Sequence, residues 1–344
     1  MDTRPIRLAL IGCGGIARNL HARAYAAAGD AVTVVAVADP SEESRSVVGT
    51  LFGVSPTSAY ADHADMLARE ALDVVCIATP HNLHMRHACD AAAAGVAIIS
   101  EKPMAPTLDE ADTILAAVEA AGVRYTVVHN LLQSSAMVEA VRLARDAEFG
   151  PITWGRAQSV FRKHDALDAS DWRATRAAGG GCAIDTAYHE IYCVEALVGS
   201  PVARVEARVR TVKFDIDVDD LVLLLLEHED GSVSTVTSTW CSPAFGTESG
   251  RWCEVHGRRS SVRVYHRETD ALHVNVSGAC WGAAPAVAQA SDPTGHVAFF
   301  QAAFDALRSG GPLPTLPADA HRNLAIVEAA RAATEQRRAV EVAQ

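Results

Sequence analysis

Over the first 125 residues, short apolar runs alternate with longer stretches in which small and apolar residues recur at helical spacing. This alternation predicts strand-helix-strand units wound around a parallel sheet. The strands fall at residues 7–11, 32–38, 74–78, 97–100 and 124–128, and the helices between them at 16–28, 41–52, 64–70, 84–94 and 108–121. Right-handed crossovers then bring the carboxyl ends of the strands to one edge, where open α/β sheets hold ligands. Beyond about residue 150 the period turns to two. Residues 152–161, 202–214, 221–227, 232–239, 251–256 and 261–265 predict a mostly antiparallel sheet, with Glu229-Asp230-Gly231 as a hairpin turn. Helical spacing returns at 296–308 and 318–335, on either side of the breaker-rich Gly310-Gly311-Pro312-Leu313-Pro314 segment.

A chain of 344 residues exceeds what one ordinary core supports, so two domains are expected, over residues 1–125 and 126–344. The composition, 49% hydrophobic and 21% charged, is that of an ordered globular chain rather than a disordered or fibrous one. A formal net charge of -12 argues against nucleic acid, whose non-specific binding rests on clustered cations releasing counterions. No apolar run reaches the roughly 18 to 20 residues that cross a bilayer, and Met1 to Arg7 lack the pattern of a secretory signal. Eight cysteines, without a Cys-x-x-Cys pair or zinc-site spacing, read as reduced thiols in a cytoplasm, with no metal expected.

The first apolar run leads straight into Gly12-Cys13-Gly14-Gly15-Ile16-Ala17, a G-x-G-x-x-A turn that opens a helix. Gly12 permits the tight turn, Gly14 lets backbone approach a pyrophosphate, and Ala17 is small enough for close helix–strand packing. The amino end of that helix offers N–H donors and a positive dipole to an anion. The second strand ends in Asp39, placed to accept the hydroxyls of an adenosine ribose. Its carboxylate would repel a 2′-phosphate, and Pro40 and Ser41 add no positive charge, so NAD is favoured over NADP. Asp39 in Asp-Pro-Ser also reads as a turn residue ahead of a helix capped by Ser41.

Two further strand ends carry Thr79-Pro80-His81-Asn82-Leu83-His84 and Glu101-Lys102-Pro103. With the glycine turn, these segments resemble the glucose-fructose oxidoreductase/inositol dehydrogenase/rhizopine catabolism family, usually called Gfo/Idh/MocA, over nearly the whole chain. The resemblance implies an α/β protein with an N-terminal Rossmann domain and a C-terminal α/β domain bearing a large, mostly antiparallel open sheet. It implies that Thr79, Pro80, Asn82 and His84 line the dinucleotide, that Glu101 and Lys102 lie near the nicotinamide, and that the Lys102–Pro103 bond is cis. Asn130 of His129-Asn130 is implied as a cofactor contact, although Leu131-Leu132-Gln133 replaces the Arg-Phe that follows in similar proteins. A homodimer or homotetramer through the open sheet is implied as well.

A lysine beside an apolar strand end can hydrogen-bond a substrate hydroxyl and stabilise the alkoxide character that grows as hydride leaves carbon. In the second half, Asp171-Trp172-Arg173 and then Gly179-Gly180-Gly181-Cys182-Ala183-Ile184-Asp185-Thr186-Ala187-Tyr188-His189 resemble the family's Trp-Arg and Gly-Gly-Gly-x-x-x-Asp-x-x-x-His segments. Asp185 and His189 are four apart, so on a helix they share a face and the carboxylate can orient the imidazole or relay its proton. Histidine titrates near neutrality and can take the hydroxyl proton. Tyr192 stands where many relatives place an acid. Arg162, His164, Trp172 and Arg173, with Lys102, Asp185 and His189, are expected substrate contacts, although a charge run such as Arg162-Lys163-His164-Asp165 is often simply solvated.

Lys102, Asp185 and His189 are thus the expected catalytic groups, in a cleft between the domains, of an NAD(H)-dependent oxidoreductase acting on a small polyol, sugar or cyclitol. Two other readings stay open: a sugar lyase or hydrolase that uses NAD transiently, and a non-catalytic dinucleotide-sensing regulator.

Overall fold

The structure is a computed structural model that describes residues 4–163, 167–168, 170–242, 250–265, 271–276, 282–283 and 292–343. The chain forms two compact units, residues 1–129 with 296–321, and residues 130–295 with 322–344.

In the first unit, strands β1 (Ile6–Ile11), β2 (Val32–Ala38), β3 (Ala59–Tyr60), β4 (Val74–Ile77), β5 (Ala97–Ser100) and β6 (Tyr125–Val127) form a parallel sheet in the order β3-β2-β1-β4-β5-β6. The helices are α1 (Ala22–Ala28), α2 (Glu42–Phe52), α3 (His63–Arg69), α4 (His84–Ala93) and α5 (Leu108–Ala121). Buried on both faces, β1 and β4 consist almost wholly of apolar residues, as parallel strands do. Local chemistry sets the helix ends: Ser41, Asp62 and Thr107 cap α2, α3 and α5 through their side chains, and Gly53 and Gly122 close α2 and α5 in left-handed conformation. The strand order reverses between β1 and β4, which makes their carboxyl ends a topological switch point.

The second unit opens with α6 (Ser135–Ala144) and contains β7 (Ile152–Val160), α7 (Tyr188–Val198), β8 (Val202–Arg210), β9 (Leu221–His228), β10 (Val233–Thr239), β11 (Arg251–Gly257), β12 (Ser260–Tyr265), β13 (Ala271–Val276) and β14 (Gly282–Ala283). With β15 (Val340–Glu341), which follows α8 (His296–Ser309) and α9 (Pro317–Gln336) in the chain, these strands form a sheet in the order β14-β13-β12-β11-β7-β10-β9-β8-β15. Its pairings are antiparallel except β7 with β10. The expected α/β class, a parallel Rossmann sheet and a second, mostly antiparallel sheet, is what forms. The β9–β10 hairpin turns at Gly231, whose φ is +85°.

Helix α8 packs with the first unit because its Phe299, Phe300 and Phe304 join the core built on β1, β2 and β4, the Phe300 ring lying 4.9 Å from His21 and 5.3 Å from Tyr25. Helix α7 lies directly over β7, where a Cβ on Gly155 would meet Val194 and Val198 at 3.1–3.3 Å. Periodicity overlooks α6, whose buried positions are Ala136, Met137, Ala140 and Ala144, because small residues give little contrast. It also overlooks β3, β14 and β15, each two residues long and too short to show a period.

Candidate functional site

At the switch point, Gly12 takes φ +98° and its N–H donates to the Ala38 carbonyl at 2.8 Å. A Cβ there would stand 2.7 Å from the Ala78 carbonyl group, so only glycine lets β1 turn this close to the end of β4. Gly14 and Gly15 are exposed, and above Gly14 a Cβ would meet nothing within 4 Å; Ala17 is fully buried. The helix starts as expected but not in regular form. Residues Ala17–His21 make a π-helical turn in which the Ala22 N–H reaches back five residues to the Ala17 carbonyl. Asp39 anchors the turn: its carboxylate accepts the Cys13 N–H at 2.8 Å and the Ser41 N–H at 2.9 Å.

Cations absent from the sequence expectation stand close to Asp39. The Arg45 guanidinium donates to the Asp39 carbonyl at 2.6 Å, and Arg18 donates to the Cys13 carbonyl at 3.0 Å and to Ser44 Oγ at 2.9 Å. Burial, and after it the Asp39 charge, pushes the Cys13 thiol up to about 12, so it stays protonated.

The loops after β4 and β5 are joined by His84. This fully buried imidazole places Nδ1 2.8 Å from the Pro103 carbonyl and Nε2 3.0 Å from the Thr79 carbonyl. Burial holds it below its ordinary value. Thr79 Oγ1 lies 3.1 Å from His87 Nδ1, while Pro80 is half-buried and Asn82 exposed. The Lys102–Pro103 bond is cis, as expected. Glu101 is turned into the core: its carboxylate pairs with His21 Nε2 at 2.8 Å and accepts the Lys102 backbone N–H at 3.2 Å. Burial opposes both charges, yet the pair persists. Cys76 and Glu101 together lift His21 above its ordinary value, and His21 carries Glu101 well below its own. His129, also buried, is pushed down to about 3 by burial and then by the Lys102 charge. Lys102 itself is half-buried, and its charge adds to the lowering of both His84 and His129.

In the second unit, Asp185 sits in a π-helical turn, Ala183–Ala187, where the Tyr188 N–H bonds back to Ala183, and His189 sits in the first turn of α7. The expected regular helix is therefore interrupted between the two residues. Gly180 passes so close beneath Arg173 that a Cβ would fall on the Arg173 carbonyl, which accounts for the glycine run. Asp185 Oδ2 lies 3.7 Å from Lys163 Nζ and 3.5 Å from Arg173 Nε. His189, buried, places Nδ1 2.7 Å from the Tyr192 hydroxyl, so tyrosine occupies the position expected of an acid. Trp172 is half-buried and stacks under the Arg173 guanidinium at 4.3 Å; Arg162 makes an isolated backbone bridge with Cys241 just beyond the ends of β7 and β10. Asn130 is buried and donates its amide to the Thr294 carbonyl at 2.6 Å. His164 lies outside the described residues.

Gly12, Gly14, Asp39, the His84-braced loops and Lys102 thus share one edge of the first sheet, and in the second unit Asp185 stands with Arg173 and Trp172 while His189 pairs with Tyr192. Sequence reasoning missed Arg18, Arg45 and Trp240, since nothing in local spacing marks them; Lys163 lay in a charge run weighed both as substrate contacts and as simply solvated, without its pairing to Trp240 and Asp185.

Two protein-family models match the chain. One, described as an oxidoreductase family with an NAD-binding Rossmann fold, covers residues 6–129, and one for a GFO/IDH/MocA C-terminal domain covers residues 137–263. The chain is 32% identical over 342 residues to a D-apiose dehydrogenase of Paraburkholderia graminis, across 97% of this chain and 89% of that protein. It is 28% identical over 303 residues to levoglucosan dehydrogenase of Pseudarthrobacter phenanthrenivorans, across 78% and 76%. A solved structure of levoglucosan dehydrogenase in complex with NADH has a TM-score of 0.87 at 25% identity, over 99% of this chain and 100% of that one.

Proposed function

The chain belongs to the GFO/IDH/MocA family of NAD-binding oxidoreductases, and from that premise we propose that it oxidises a secondary carbinol of a sugar, cyclitol or related polyol, or reduces the ketone. The observation that carries this reading is the edge of the first sheet, where half-buried Lys102, in a loop held by Glu101 and His84, stands with the glycine turn and Asp39. The open space over Gly14 and the N–H groups of Gly15, Ile16 and Ala17 suit a pyrophosphate, Asp39 suits ribose hydroxyls, and Thr79, Pro80 and Asn82 extend the same edge. When bound, NAD supplies the hydride acceptor or donor.

The protein's own part is charge and proton management. Lys102 donates a hydrogen bond to the reacting oxygen and stabilises its alkoxide character, and His189 takes up or returns the proton at Nε2 while Nδ1 engages the Tyr192 hydroxyl. Asp185 supports His189; Arg162, His164, Trp172 and Arg173 hold hydroxyls of the substrate. The seven free thiols among the described residues support a reducing, cytoplasmic setting.

A panel containing D-apiose, levoglucosan, aldoses, keto-sugars and cyclitols, followed by the ultraviolet absorbance of NADH, tests the reading. Net reduction of NAD with at least one of them is expected. Sugar conversion without NADH accumulation would instead favour a lyase with transient redox chemistry.

Asp39→Ala is expected to lower the NAD-to-NADP ratio of kcat/KM by at least about tenfold, the equivalent of roughly 1.4 kcal/mol. The repelling carboxylate goes while Arg18 and Arg45 stay. Titration with fluorescent NADPH should show the gain in binding without turnover; an unchanged ratio would remove Asp39 as the discriminator.

The outward face of β9, β10 and β7 exposes Leu223, Leu225, Val233 and Trp154, an apolar stripe suited to a second copy of the chain in a homodimer or homotetramer. Light scattering should show an oligomer that Leu223→Glu combined with Leu225→Glu reduces toward monomer. A monomeric parent protein would sink the idea.

A further inference from the structure

One largely enclosed cation in the second unit has no assigned part in the proposed reaction. Lys163 follows β7, and its side chain is only 11% exposed. Lysine is rarely so enclosed unless its ammonium is paired. Here the ammonium sits 3.8 Å over the ring of Trp240 and 3.7 Å from Asp185 Oδ2. The backbone is held as tightly as the head group, since the Lys163 N–H donates to the Trp240 carbonyl at 3.2 Å and the Trp240 N–H to the Asp220 carbonyl at 3.0 Å. The fully buried Trp240 is in turn tied to the segment that carries Asp185, because its Nε1–H donates to Thr186 Oγ1 at 2.8 Å. One rigid indole thus fixes both the cation and the helical turn bearing the carboxylate.

We infer that Lys163 is a positioning residue for the proposed reaction, acting through Asp185 by holding its carboxylate ionised and aimed. The inference rests on the assignment of Asp185 and His189 to proton transfer. At 3.7 Å and 3.5 Å, Lys163 and Arg173 act on the same oxygen as charges rather than as hydrogen-bond donors. The usual structural task of an acid in such a turn is already filled by another residue: Asp219 Oδ2 accepts the Ala183 N–H at 2.6 Å. Further ionisable groups lie around Asp185 among the described residues. Asp171 faces Arg173, burial keeps the Cys182 thiol protonated and raises Asp219, and Glu190 and His189 belong to the helix that follows. Burial also lowers the Lys163 ammonium, while Asp185 opposes that shift.

The test uses the full-length enzyme with NAD and the most active sugar of the panel, comparing Lys163→Met, Lys163→Arg, Asp185→Asn and the Lys163→Met/Asp185→Asn double variant. Loss of one cation beside Asp185 raises the pH needed to ionise it. Lys163→Met is therefore expected to move the acidic limb of kcat/KM upward by about half a pH unit or more and to lower kcat by about tenfold, with NADH binding by fluorescence unchanged. Lys163→Arg should keep the limb of the parent. In the Asp185→Asn background, Lys163→Met should cost nothing further. An unmoved limb, a loss confined to KM, or full additivity with Asp185→Asn would overturn the inference. Should Lys163→Met fail to fold, Lys163→Gln takes its place, and Lys163→Arg decides alone if neither folds, since a limb displaced by arginine contradicts a purely charge-based role. If Asp185→Asn and Lys102→Met both leave turnover intact, the underlying reading falls and this inference with it; if they abolish turnover while Lys163 variants keep the limb, only this inference falls.

Discussion

Lys102→Met and His189→Ala are each expected to lower kcat by about a hundredfold, within the range that positioned acid–base groups contribute, while NAD(H) affinity changes less than about threefold. The separation of the two effects follows from what surrounds each residue. Lys102 stands in a loop whose backbone is fixed on both sides, by Glu101 at its N–H and by His84 at the Pro103 carbonyl, so removing the ammonium leaves the loop and the glycine turn in place. His189 is locked against Tyr192 within α7, far along the chain from the turn that would hold a pyrophosphate. Stopped-flow or steady-state turnover with the active sugar, set beside NADH fluorescence titration, measures both quantities. Turnover unaltered in both variants would remove the acid–base assignment, and a collapse of NADH binding would move Lys102 from chemistry to cofactor retention.

Glu101→Gln is expected to destabilise the first unit by about 3–5 kcal/mol, because it leaves the enclosed His21 without its charge partner. The pH dependence distinguishes this from a simple packing defect. Glu101 is held below the ordinary value of 4.5, so its share of stability is present above that pH and fades as pH falls. His21 is held above the ordinary value of 6.5, so its share is complete below 6.5 and fades as pH rises toward the folded-state value. The gap in melting temperature between parent and variant should therefore be widest between pH 4.5 and 6.5 and close steadily at alkaline pH. Thermal melts by circular dichroism across that range decide the matter; a gap independent of pH would mean that the pair is not ionised in the fold.

Much of this molecule follows from local rules. The strands at 32–38 and 97–100 and the helix at 108–121 lie where periodicity puts them, because each is bounded by a cap or a glycine whose effect is local. The G-x-G-x-x-A turn is legible for the same reason: Gly12 adopts a conformation closed to other residues, and the small Ala17 is enclosed. Other features escape such reading. The two π-helical turns, at 17–21 and 183–187, leave no mark in the local pattern, and the 3.6-residue spacing on which the Asp185–His189 argument relied is lost at one of them. Nothing in the local sequence marks the pairing of the Glu101 carboxylate with His21, 80 positions earlier in the chain.

The order of apolar and polar residues, together with glycine, proline and capping chemistry, was enough to specify two sheets and a dinucleotide-type turn. Those properties depend on backbone preference and on burial of one face, both encoded within a dozen residues. Partnership between side chains was decided only in three dimensions: Glu101 with His21, Lys163 with Trp240 and Asp185, Arg45 with Asp39, and Phe300 of α8 with the core of a sheet that ends some 170 residues before it. Charge pairing and desolvation depend on distance in space and on what excludes water, and neither quantity is a function of separation along the chain.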